Sequence, residues 1–129
     1  MRVLLDTHIW LWSLYEPEKI GKALRGELNN PLNERWLSPI STWEALILQD
    51  KGRIELEENR ALWVAEATSH FHQAPFTHEV VLVAQQINLP QRDPADRFLA
   101  ATAKVFGLTL ATADTQLLGL GDIATLANR

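Results

Sequence analysis

The chain contains no cysteine, which excludes disulfides and thiolate-ligated zinc and is compatible with a reducing compartment. No segment is apolar enough to span a bilayer. The opening Met1-Arg2-Val3-Leu4-Leu5-Asp6 meets a carboxylate after three apolar residues, too early for a secretory signal. A soluble, cytoplasmic protein without a membrane partner is therefore expected. An excess of basic residues is also missing: 12 Lys plus Arg face 16 Asp plus Glu, for a net charge of −4. That balance argues against a general nucleic-acid coat, which holds its ligand by broad phosphate neutralisation. Internal repeats, low-complexity tracts and domain linkers are absent as well, so residues 1–129 read as one domain, long enough to bury its own core.

What is present is a set of short apolar runs, each closed by a turn signal and followed by a helical pattern. Val3-Leu4-Leu5 runs into Asp6, Trp36-Leu37-Ser38-Pro39 precedes Glu44, and Leu108-Thr109-Leu110-Ala111-Thr112 leads to Asp114. Buried strands alternating with helices predict βαβ units and an α/β fold with a mainly parallel sheet. In open sheets of that kind, ligands bind beyond the carboxyl ends of the strands. Four acids, Asp6, Glu44, Asp96 and Asp114, stand where a hydrophobic run gives way to a helix start, so that edge can gather them. Clustered carboxylates suit a hard divalent cation, Mg²⁺ or Mn²⁺, with positions left open for water and a phosphate oxygen. Removing these four acids leaves as many acids as bases, so the negative charge does not exclude a polyanionic substrate.

Helices are expected over Thr7–Tyr15, Glu18–Leu28, Asn59–Phe71, Thr77–Gln86 and Thr115–Leu118, with further strands at Arg35–Ser38 and Ile123–Leu126. Ser41-Thr42-Trp43-Glu44 fits a capping box, and Lys51-Gly52 fits the matching helix end. Asp93-Pro94 marks another start, from which Ala95, Leu99, Ala103 and Phe106 form a core stripe closed by Gly107. Each acid has a plainer reading, because a carboxylate at a helix N-terminus satisfies free backbone N–H groups for ~0.5–2 kcal/mol. Glu44 can be the partner of Ser41, Asp96 can favour its first turn, Asp6 and Asp114 can be simple caps, and Asp93 suits a cap better than a ligand. Four caps need not share one sheet edge, however, and the joint pattern favours a site. His70 and His72 lie two apart and do not face each other on a helix, so they are read as ordinary positions, and only His8 stands near the proposed site. The five tryptophans are read as core and subunit-interface residues, with an exposed one able to stack on RNA. Arg92 and Arg97 can bind phosphate or pair with acids.

Taken together, Leu4-Leu5-Asp6-Thr7-His8 with Trp12, Ser38-Pro39-Ile40-Ser41-Thr42-Trp43-Glu44, Arg92-Asp93-Pro94-Ala95-Asp96-Arg97 with Leu99-Ala100-Ala101-Thr102-Ala103, and Leu110-Ala111-Thr112-Ala113-Asp114 resemble PIN-domain ribonucleases. Within them the chain resembles the VapC-like toxins of toxin–antitoxin pairs, nearly end to end. The resemblance implies a three-layer α/β/α sandwich and an acidic pocket of Asp6, Glu44, Asp96 and Asp114, with the Thr7 and Thr112 hydroxyls assisting. It also implies an RNA substrate, a cognate antitoxin and a homodimer. Asp6 and Asp96 are expected to bind Mg²⁺ or Mn²⁺ most directly, with Asp93 and Arg97 auxiliary. One position departs from the resembled subgroup: Gln91 stands where histidine is usual, just before Arg92-Asp93-Pro94. Two rivals are weighed. A haloacid-dehalogenase-like phosphohydrolase with Asp6 as nucleophile expects a second Asp where His8 stands. A binding module whose acids only cap helices expects no response to a divalent cation.

Overall fold

The computed structural model describes residues 1–89 and 93–129. Gln91 and Arg92, both singled out above, lie outside the described residues. Among the described residues five strands form one sheet in the order β3-β2-β1-β4-β5: β1 Arg2–Leu5, β2 Glu34–Leu37, β3 His72–Gln73, β4 Thr109–Thr112 and β5 Thr125–Ala127. All neighbouring strands run parallel, in a register that sets Leu4 opposite Trp36 on one side and Leu110 on the other.

Side chains on a strand point alternately to opposite faces, and β1 uses both faces for the core. Val3 and Leu5 join one apolar cluster with Ile9, Trp10, Leu24, Leu28 and Trp63, from α1 (Thr7–Tyr15), α2 (Lys22–Asn29) and α4 (Arg60–Ala67). Leu4 joins the other with Val80, Ala84, Leu99, Ala100 and Leu117, from α5 (His78–Ala84), α6 (Pro94–Phe106) and α7 (Thr115–Leu118). The expected three-layer sandwich follows from this alternation. The alanines of α6 let α5 pack closely against it, as the Ala100-Ala101 pair predicts. Helix α3 (Pro39–Asp50) packs against both α1 and α6, bridging the helix starts at the carboxyl edge.

Several local expectations need correction. The helix expected over Glu18–Leu28 is a 3₁₀ turn at Pro17–Lys19 followed by α2, because Gly21, in extended backbone, caps α2. Helix α4 stops at Ala67 rather than Phe71, and the chain then supplies β3, a two-residue strand too short to leave a period in the sequence. Helix α3 starts at Pro39, with Ser38 Oγ accepting from the Ile40 N–H, so the Ser41–Glu44 capping box does not form. Proline is favoured at the first helical position, and it moves the start three residues upstream. The end of α3 is as expected: Gly52 takes a left-handed φ of 71°, and its N–H bonds the Gln49 carbonyl.

Candidate active site

The strand order reverses at β1, with β2 on one side and β4 on the other, and in open parallel sheets the carboxyl edge at such a reversal is where ligands bind. Asp6 follows β1 and Asp114 nearly follows β4, so adjacent strands deliver both acids to that edge. The backbone joins them closely: the Asp6 N–H donates to the Ala111 carbonyl at 2.9 Å.

Asp6 is buried, with 7% of its surface exposed, and both its carboxylate oxygens are engaged. Oδ1 accepts from the Thr7 N–H at 2.7 Å and Oδ2 accepts from the Thr112 hydroxyl at 2.7 Å. Thr112 Oγ1 in turn accepts from the Asp114 N–H at 3.0 Å, linking the two acids through one hydroxyl. Asp114 also caps α7, accepting from the Gln116 N–H at 2.8 Å. Burial raises the Asp6 pKa above the usual carboxylate range against the opposing pull of the Thr112 and Thr7 bonds and of His8, and Asp114 adds to the rise.

Glu44 lies in the interior of α3, not at its start, and no capping role is open to it. Its Oε1 bonds the Thr7 hydroxyl, which also lies 2.9 Å from Ser41 Oγ. Burial pushes Glu44 up to about 7; the Thr7 bond opposes this, and the nearby charges of Asp93 and Asp6 reinforce it. Asp96, in the first turn of α6, is also pushed up to about 7, first by burial and then by Asp6, Asp93, Asp114 and Glu44 in turn. Every influence on Asp96 disfavours its charge, and each of the other three candidate acids contributes. Four distant segments therefore bring their carboxylates into one electrostatic cluster.

Asp93 caps α6 as expected, accepting from the Ala95 N–H at 3.0 Å, and its charge adds to the rise of the Glu44 pKa. Arg97 does not join the cluster through its guanidinium: Nη2 donates to the Leu89 carbonyl at 3.1 Å. His8 is exposed beside the site and stacks on Trp12 at 6.0 Å between ring centroids. Ser41 is fully buried against Thr7, where its motif in the sequence suggests only a cap. Its spacing of three from Glu44 places both on one helix face, and that was the signal available.

Among the described residues, no three Asp, Glu or His side chains close into a shell tight enough to enclose an ion as they stand.

The PIN-domain family model matches residues 3–122. The chain is 31% identical over 118 residues to Ribonuclease VapC22 of Mycobacterium tuberculosis, covering 89% of this chain and 88% of that protein. Its fold is similar to DNA-bound VapBC from Salmonella typhimurium, with a TM-score of 0.71, 18% identity and coverage of 100% and 99% of the two chains. VapBC2 from Rickettsia felis, bound to a promoter DNA fragment, superposes with a TM-score of 0.70 at 16% identity over 98% of each chain. The chain belongs to the PIN-domain family, among its VapC ribonuclease toxins. These nucleases are typically metal-dependent. The membership displaces the dehalogenase-like reading and the purely binding module. No helix among the described residues is long and apolar enough to cross a membrane.

Proposed function

We propose that the protein is an endoribonuclease in which Asp6, Glu44, Asp96 and Asp114 hold Mg²⁺ or Mn²⁺ and carry RNA phosphodiester hydrolysis. The observation that carries this reading is geometric: Thr112 links Asp6 to the Asp114 backbone, Thr7 bonds both Asp6 and Glu44, and Asp96 stands in the first turn of α6, which packs on the helix that carries Glu44. The donor set fits such an ion: all four are hard carboxylate oxygens, gathered where no described basic side chain offsets them among the main influences on Asp96. When bound, the cation supplies positive charge at the scissile phosphate and acidifies a water.

The chain's own residues have separate tasks. Thr112 and the Thr7 N–H fix the Asp6 carboxylate from both sides, so its orientation is set before substrate arrives. The Thr7 hydroxyl, steadied by Ser41, does the same for Glu44. Glu44 and Asp96, both raised to about 7 by burial and by the neighbouring acids, are the two carboxylates whose charged forms a cation held there would favour most. Asp93 tunes Glu44 while capping α6.

We further infer that residues 1–129 form one PIN domain and that the protein acts in the cytosol. Its partner is a cognate antitoxin, as in the VapBC assemblies it resembles. It pairs with a second copy, to which α5 offers exposed Val81 and Leu82. Incubating the purified protein with total RNA, with Mn²⁺ and with excess EDTA, tests the catalytic reading. Cation-dependent cuts at defined positions are expected, whereas equal cleavage in EDTA or none with Mn²⁺ would sink it.

A further inference from the structure

Leading away from the acid cluster, the packed faces of α1 and α3 open into a groove of about 470 Å³. Side chains four apart share a helix face, and two such stripes set its course. On α1 the stripe is Thr7, Leu11 and Tyr15, and on α3 it is Glu44 and Leu48. The stripes meet where the Thr7 hydroxyl bonds Glu44, and Leu11, Tyr15 and Leu48 line the groove beyond that bond. The groove thus begins one helical turn from Glu44, and His8, two residues after Asp6, also lines it. Past the end of α3, Arg53 joins the lining, exposed and without an ion-pair partner among the described residues. Tyr15 is 51% exposed, yet its hydroxyl is held by the Trp63 indole N–H at 2.7 Å, so an exposed aromatic ring stands in a fixed place.

We propose that this groove seats a nucleotide of single-stranded RNA that flanks the scissile phosphate, with its base stacked on Tyr15 and a phosphate paired with Arg53. The proposal rests on the ribonuclease reading of the acid cluster and carries it along the substrate. A strand cut at the cluster passes on to neighbouring surface, and a phosphate leaving a group of carboxylates gains from a cation in its path. The Arg53 guanidinium suits that role, because its fork of donors matches phosphate oxygens. Aromatic rings interleaved with cations are the means by which grooves hold single-stranded nucleic acid without reading its sequence. His8, stacked on Trp12 with ring centroids 6.0 Å apart, continues the aromatic lining from Tyr15 back toward Asp6. Two acids also line the groove, Glu16 and Glu55. Lys19 pairs with Glu16 at 3.0 Å and lies over the Trp12 ring, which leaves Glu55 as the charge that opposes a phosphate. Because α1 carries both Thr7 and Tyr15, a rigid helix sets the distance between the cutting point and the stacked base. The groove therefore fixes which phosphodiester stands at the acids, whatever the base.

Affinity for short fluorescein-labelled single-stranded RNA of randomised sequence provides the test, measured by anisotropy in an Asp96→Asn background that leaves the strand intact. Adding Arg53→Ala should weaken binding about tenfold at low salt and lower the slope of log affinity against log salt by about 0.7, the share of one phosphate contact. Tyr15→Leu should weaken binding about tenfold, Tyr15→Phe should stay close to the parent, and Glu55→Gln should strengthen binding. Arg53 is exposed, so its arm of the test stands even where Tyr15→Leu lowers the melting temperature. Equal affinity and equal salt slope with and without the Arg53 guanidinium overturn the proposal, as does a parent that binds no RNA. So does conversion of a dimer to a monomer by Tyr15→Leu, seen by light scattering, with RNA affinity per chain unchanged, because the groove would then hold a second copy. Failure of the wild-type protein to cleave RNA that the Asp96→Asn parent binds would instead strike the catalytic reading, since the binding comparison does not depend on turnover.

Discussion

Helix α6 begins among like charges and ends among complementary ones. At its N-terminus, Asp93 and Asp96 join Asp6, Glu44 and Asp114, and burial plus mutual repulsion drives Glu44 and Asp96 up to about 7. At its C-terminus, Arg2 donates to the Phe106 carbonyl at 2.9 Å and lies over the Trp36 ring, and Gly107 closes the helix in a left-handed conformation. The helix dipole favours anions at the first end and a cation at the second. One acid would satisfy the first end, yet the fold collects five there. The surplus at the carboxyl edge costs stability and is what the proposed cation site would use, while the contacts at the amino edge hold the sandwich together.

The largest expected effect breaks the comparison at its charged end. Asp96→Asn should lower Mn²⁺-dependent RNA cleavage about a thousandfold or more, since it removes a carboxylate from the proposed cation site. The same substitution should raise the melting temperature in EDTA near neutral pH, because it deletes a charge that the fold opposes. An unchanged or lower melting temperature would refute the idea that the cluster is strained.

Next in size is the pH dependence of the cation-free protein. The pKa values of Glu44 and Asp96 are raised on folding, from 4.5 and 3.8 to about 7, so the native state binds their protons more tightly than the unfolded state. Their contribution is fully present below the unfolded values and is lost as pH rises through about 7. Melting temperature in EDTA should therefore fall between about pH 5 and about pH 8, and Mn²⁺ should restore it at the upper end by binding the native state. A flat profile, or a rise over this window, contradicts the assigned shifts.

The smallest effect sharpens the other end. Gly107 has a φ of 62°, and a Cβ there would meet nothing nearer than Arg2 Nη2 at 3.5 Å, so conformation rather than space sets the cost of replacing it. Gly107→Ala should cost about 1 kcal/mol in urea denaturation and leave cleavage unchanged. Loss of activity at equal stability would mean that the two edges are coupled.

The sequence carried most of the architecture because the relevant signals are local. Val3-Leu4-Leu5 is apolar without alternation, as a strand buried on both faces must be, and Asp93-Pro94 and Gly107 punctuate α6 at both ends as observed. The misreadings arose where two local signals competed. Ser38-Pro39 and Ser41–Glu44 each offer a start for α3, and the proline together with the buried Ser38 bond decided in favour of the first. Strand β3 was illegible because its two residues hold their place only by pairing with Trp36 and Leu37.

By itself, the sequence determined the parallel α/β class, most of the elements in their order and the choice of candidate acids, since periodicity, capping residues and motif spacing are properties of neighbours along the chain. Tertiary structure alone decided which charges act on which. It removed Glu44 from any capping role by setting it against Thr7, held Arg97 on a backbone carbonyl, brought the Asp93 charge to bear on Glu44 and left Trp43 uncovered. The physical reason is distance: electrostatic repulsion, desolvation and exposure depend on what approaches through space, and the packing of α3 between α1 and α6 creates those approaches.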